Sequence, residues 1–193
     1  MCDAAIPMYL ATLGALVLLV LITFSEPFIS AFYFLATDAA GGVRFGLLGY
    51  CLEAAGTCTP KKLGYSFDPQ LIGSLTTPLI LFPISAVFTL ISLFLLFFIV
   101  CCHTWRRFPH PLFCFVSLLA FLTSLAGLAI ALFLFITALV RFHRDGSSAN
   151  LGPSIWMAIG ATVLLFCVTL NAGCATCLGG RFGRQSRRHA YNY

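Results

Sequence analysis

Four long apolar blocks dominate the pattern of this chain. They cover residues 4–24, 79–100, 112–140 and 153–178, and none contains a charged residue. A helix needs about 20 apolar residues, at about 1.5 Å each, to cross the hydrocarbon of a bilayer. Backbone groups in lipid must be satisfied within their own segment, and none of the blocks alternates every second residue as a barrel strand would. The pattern therefore predicts four transmembrane helices. The third block, about 43 Å long as a helix, exceeds the hydrocarbon thickness and must tilt or project.

Composition agrees. The chain is 60% hydrophobic and 9% charged, where a soluble domain carries about 25% charged residues and so covers a water-facing surface. Residues 1–7 hold Asp3 but no Lys or Arg, so the first block is expected to stay as a span and not to be removed as a signal peptide.

Four spans place both chain ends on one side. Arg181, Arg184, Arg187 and Arg188 follow the fourth block, and Arg106 and Arg107 lie between the second and third. Arg44, Lys61, Lys62, Arg141 and Arg144 fall on the other side. The totals nearly balance, but the first group sits close to the membrane without acidic neighbours, which points to a cytoplasmic tail and a cytoplasmic N-terminus. Residues 25–78 and 141–152 then form the outer loops, and 179–193 the cytoplasmic tail. Trp105 and Trp156 fall near the two interfaces, where aromatic belts form.

The first outer loop holds the longest polar island, "FGLLGYCLEAAGTCTPKKLGYSFD", Phe45 to Asp68. Cys51 and Cys58 are the only two of the nine cysteines there. On an oxidising side, a pair separated by a short glycine-containing turn suits a disulfide, the alternative being two free thiols. The β-compatible "VRFGLLGYC" and the alternating aromatics of "KLGYSFD" favour a small antiparallel sheet over an irregular loop. Phe28 to Ala36 is either an upward continuation of the first helix or a first strand.

The stretch with Gly46, Gly49, Tyr50 and Cys51, followed by Cys58 and "CTPKKLGYSFD", resembles the signature of the fungal PalI family and related four-span eisosomal proteins. These in turn resemble claudins: four spans, a large first outer loop, and a glycine-aromatic-cysteine motif with a second cysteine. A claudin loop adds an upstream Trp; this loop has none, which favours the fungal branch. The resemblance implies an all-α membrane fold, a four-helix bundle with a disulfide-pinned sheet in the first outer loop. It further implies a plasma-membrane structural or signalling role, organising a membrane domain or assisting an ambient-pH sensing complex. The alternative is a channel-like or calcium-influx regulator of cell fusion, as in neighbouring four-span families.

Other candidate chemistry is sparse. Cys101, Cys102, Cys174 and Cys177 lie near the cytoplasmic interface. They suit reversible acylation or plain packing better than zinc. The tail arginines suit anionic headgroups. The expected partners are membrane lipids and other membrane proteins, a pH-sensing receptor or a second copy, and no nucleic acid. Asn171 reads as a helix–helix hydrogen bond, and Glu26 marks the outer end of the first span. The four histidines, His103, His110, His143 and His189, are scattered, and His143 stands beside Arg141, Arg144 and Asp145. No paired carboxylates, activated nucleophile or phosphate loop is present, so neither an enzyme nor a cofactor is expected.

Overall fold

The computed structural model describes residues 5–26, 28–38, 41–54, 56–59, 76–101 and 109–189. Side chains of residues 5, 99–101, 109–110 and 174–189 lie outside that description. Four helices form the body: α1 (Ala5–Thr23), α2 (Leu81–Cys101), α3 (Pro109–Arg144) and α4 (Pro153–His189). α1, α3 and α4 each have a proline in the first turn, Pro7, Pro109 and Pro153 in order. There the missing amide proton costs nothing, because the first four donors of a helix have no partner within it. A 3-10 turn, Thr77–Ile80, leads into α2.

The helices pack as a ring, α1 against α2 and α4, and α3 against α2 and α4. The segments Ile6–Thr23, Thr77–Phe98, Pro111–Arg144 and Pro153–Gly173 are long and apolar enough to cross a membrane. Their outward faces carry exposed Val87, Phe94, Phe115, Phe133 and Val163, which hydrocarbon would cover. Small and hydroxyl side chains line the interior: Ala15, Ala120, Ala131, Ala158, Ala161, Thr12, Ser85, Ser117, Ser124 and Thr162 are buried. Lipid tails are as apolar as leucine, so close packing and interhelical hydrogen bonds must hold such a bundle. Ser85 Oγ donates to the Ala120 carbonyl at 2.8 Å, joining α2 to α3. Thr169 Oγ1 lies 3.2 Å from the Ser117 carbonyl, and Ser124 Oγ lies 2.8 Å from Thr162 Oγ1, both joining α3 to α4. Thr162 donates its one proton to the Ala158 carbonyl at 2.8 Å, so Ser124 is the donor in the pair.

At one end stands a five-stranded antiparallel sheet, ordered β4-β3-β2-β1-β5. Its strands are β1 (Leu35–Thr37), β2 (Val43–Phe45), β3 (Tyr50–Leu52), β4 (Thr57–Cys58) and β5 (Ala149–Leu151). Residues 28–34 turn back from α1 and lead into β1, so this stretch becomes a strand entry and not more helix. The sheet is larger than the first loop alone. The segment between α3 and α4 supplies β5, with Ala36 opposite Asn150. α3 runs to Arg144 before a glycine-ended cap: Gly146 has φ of 78°, its N–H reaches the His143 carbonyl, and the Ser147 N–H reaches the Phe142 carbonyl. That pair of bonds is the Schellman pattern, which needs a residue in the left-handed region. It turns the chain straight into β5.

Aromatic contacts bolt the sheet to the bundle. The Phe34 ring stacks on Phe135 of α3 at 5.0 Å and leans on Phe82 of α2 at 6.2 Å. Phe45 of β2 meets Phe142 of α3 at 6.1 Å. All five rings are fully buried. Residues 60–75, which hold "KLGYSFD" and the two lysines, lie outside the described residues, as does Trp105. Trp156 is exposed in the first turn of α4.

Ser124→Ala is expected to weaken the bundle by about 1 kcal/mol, within the range of interhelical hydrogen bonds in bilayers. Thr162→Val should cost about as much, and the double variant less than their sum. Reversible unfolding in mixed micelles, read as a double-mutant cycle, measures this; additive losses would show that the pair contributes nothing.

Candidate interaction face of the sheet

Alternation along the strands gives the sheet two unlike faces. Leu35, Thr37, Val43 and Phe45 are buried toward the helices. Ala36, Arg44, Cys51 and Asn150 point the other way and form one row, since Ala36 pairs with both Arg44 and Asn150, and Arg44 with Cys51. Cys51 lies directly opposite Cys58, and the two form a disulfide. The two-residue edge strand β4 is thereby fixed to β3. Such a short loop closure is worth about 2.5 kcal/mol in the chain-entropy model.

Small Ala36 leaves a hollow of about 200 Å³ on this row, lined by Tyr33, Asp38, Arg44, Glu53, Ser148 and Asn150 among others. Arg44 organises it. Its guanidinium pairs with Glu53, donates to the Ser30 carbonyl at 3.2 Å, and lies over the Tyr33 ring at 5.4 Å. Both partners of the ion pair are substantially exposed, so it directs geometry more than it stabilises. Across the hollow Ser148 donates to Asp38, and the Asp38 N–H donates to the Ser148 carbonyl at 3.0 Å. The face thus presents both charges, an aromatic ring and hydroxyl and amide groups, drawn from both loops. Among the described residues no three His, Cys, Asp or Glu side chains gather as a metal site would require.

The glycine motif has a clear structural use. The Gly46 N–H donates to the Gly49 carbonyl at 2.9 Å, closing the turn between β2 and β3. Leu47 at its tip is buried, and its N–H is taken by Ser25 Oγ at 3.0 Å. A Cβ on Gly46 would collide with the Glu26 carbonyl at the end of α1. Tyr50 donates its N–H to Thr59 Oγ1 at 3.0 Å, and its ring meets Phe45 at 5.7 Å.

Glu26 itself is 5% exposed, and its Oε2 has no hydrogen-bond partner. Burial pushes its carboxyl above the ordinary value of 4.5, Arg44 pulls it back, and Glu53 adds to the rise. The sequence shows this residue as the mark of a span end; its burial follows from a fold-back that no local pattern announces. Arg44, Asp38, Glu53, Ser148 and Asn150 were equally silent, because β5 is joined to β1 across more than a hundred residues. The alternation in Val43-Arg44-Phe45 was the one signal for an outward Arg44.

At the opposite end, Cys101 closes α2, while Cys102 lies outside the described residues. Cys174, Cys177, Arg181, Arg184, Arg187 and Arg188 all fall on the backbone of α4. Asn171 uses its amide on the Cys167 carbonyl one turn back, at 2.7 Å; it is exposed and is not the helix–helix bond that the sequence suggests. His143 is exposed, with Nδ1 2.9 Å from the Leu139 carbonyl.

No curated protein matches the chain. The model of the SUR7/PalI family matches residues 4–168, which take in α1 to α3, the whole sheet and most of the apolar length of α4. With four apolar helices, a small antiparallel sheet and the Cys51–Cys58 bridge, this multi-pass membrane protein belongs to the SUR7/PalI family.

Proposed function

We propose that the chain acts at the plasma membrane as a structural or signalling protein, organising a membrane domain by lateral contact or assisting an ambient-pH sensing complex. In this reading the sheet faces the outside and both chain ends face the cytoplasm. The observation that carries it is the polar, disulfide-closed face of the sheet, held on apolar spans whose only charges, Arg141 and Arg144, lie in the last turn of α3. A disulfide suits the oxidising side of a membrane. A face with both charges and an aromatic ring suits a protein partner better than free solvent.

The other end supports lipid contact. Positions 174, 177, 181, 184 and 188 are spaced three and four apart, so on the helical backbone of α4 they share one face. Two cysteines open to acylation and three arginines for anionic headgroups would then act together. A channel-like role needs polar or charged groups facing a path through the bilayer. The buried Ser85, Ser124 and Thr162 and the half-buried Thr169 are instead engaged in binding helix to helix or to their own backbone.

Imaging of a tagged copy tests the role. Stable cortical patches that disperse with Arg44→Glu, while the protein still reaches the surface, support an organiser acting through the sheet. Ion flux from the purified protein in liposomes would overturn the reading in favour of a channel.

Protease added to intact cells is expected to leave the tail uncut; a digested tail reverses the orientation. Replacing Arg184, Arg187 and Arg188 with Gln should cost roughly 3 kcal/mol of attraction to anionic lipid, at about 1 kcal/mol each. Co-purified anionic lipid, measured by mass spectrometry, should fall accordingly; unchanged lipid would make the tail a passive end. Without reduction, mass spectrometry should find Cys51 bonded to Cys58. Cys51→Ser should unsettle the β3–β4 hairpin while the four helices still insert, because insertion depends on hydrophobicity.

A further inference from the structure

The end of α1 is locked to the sheet by an unusual set of contacts. The chain reverses after Thr23, with the Glu26 N–H on the Phe32 carbonyl at 2.9 Å and the Phe28 N–H on the Ser25 carbonyl at 3.1 Å. Ser25 Oγ holds the tip of the β2–β3 turn through the Leu47 N–H. Glu26 fills the space that Gly46 leaves open, with both its carbonyl and its Cβ against that glycine. Among the described residues, Arg44 of β2 is the cation whose charge acts on the Glu26 carboxyl. That guanidinium is committed to Glu53, Ser30 and Tyr33. Two carboxyl groups therefore compete for one cation, and the buried one goes without.

A buried carboxylate with an unpartnered oxygen is costly, whereas the protonated acid is tolerated. We propose that Glu26 is a proton-operated latch at the joint between α1 and the sheet. Protonated, it lets the turn close against Gly46. Ionised, it draws Arg44 from Glu53, loosening both the β2–β3 turn and the β3–β4 hairpin, whose turn Glu53 begins. Among the described residues the charged groups acting on it are Arg44 and Glu53; Arg141, His143, Arg144 and Asp145, at the head of α3, are exposed. The direction follows from linkage. A carboxyl whose folded-state value is raised favours the fold fully below its ordinary value, and that contribution is lost as pH rises through the folded value. The latch requires only the fold and goes beyond the role proposed above, holding for any partner.

The test is amide exchange of the full chain in lipid nanodiscs, comparing the parent with Glu26→Gln at each pH so that intrinsic exchange cancels. At about pH 4 the two should protect residues 24–34 and 43–58 alike, and at about pH 8 the parent should exchange faster, by about tenfold for each unit by which the folded value is raised. Helix interiors should stay unchanged. Arg44→Gln should move the transition of residues 24–34 to higher pH, since a cation that lowers the Glu26 value is gone, and should remove it from the β3–β4 hairpin, because no Arg44 is then drawn from Glu53. A parent and Glu26→Gln that match at every pH, or a joint that tightens as pH rises, would overturn the proposal. Should Glu26→Gln fail to fold, Arg44→Gln decides alone: a transition moved upward supports the latch, and an unmoved one overturns it. Either result is independent of whether the protein forms patches in cells.

Discussion

Every amide in the hydrocarbon has to find its acceptor within its own helix, and the rest of this structure is arranged around that demand. Four apolar segments meet it, so the strands are confined to one end, where water can reach the edges of the sheet. Pro7, Pro109 and Pro153 follow the same logic: each sits in a first turn, where no acceptor is needed. The interior has little hydrophobic drive to exploit, because lipid is as apolar as the core. Small side chains and hydroxyl bonds such as Ser124 to Thr162 take over the role that burial plays in a soluble protein.

The sheet is too small to stand alone. Strands of two or three residues with one face solvated have little core of their own. This one borrows its core from the bundle, through Phe34 on Phe135 and Phe45 on Phe142. α3 makes the loan feasible: at 36 residues it is about 54 Å long, enough to project beyond the hydrocarbon and carry rings to the underside of the strands. The disulfide attends to what packing does not reach, the exposed edge strand β4.

The four helices, the sheet and the disulfide were legible because each rests on a local signal: uncharged length, alternation, or two cysteines around a glycine turn. The β5 strand was not. Ala149–Leu151 is three residues in a loop that reads as a short connection, and its partner β1 is far away in sequence. The β2–β3 turn was equally hidden. Its tip is Leu47 and Leu48 where asparagine and glycine usually stand, and it is held by Ser25, a residue of another element. The hollow around Arg44 needs both loops, so no single stretch of sequence contains it.

The attachments of the helices to the sheet are not alike. α2 and α3 join through hydrocarbon rings. α4 joins through backbone bonds, the Gly152 N–H on the Phe34 carbonyl at 2.8 Å and the Ser154 N–H on the Tyr33 carbonyl at 3.2 Å. Neither kind of contact changes with protons in the ordinary range. α1 joins through Ser25, Gly46 and the buried carboxyl of Glu26, and this is the attachment with a titratable group inside it. A disturbance there loosens one helix end and the β2–β3 turn, while the aromatic stack and the β1–β5 pairing keep the sheet in place. The asymmetry leaves the aromatic and backbone attachments to hold the fold while the one titratable attachment is disturbed.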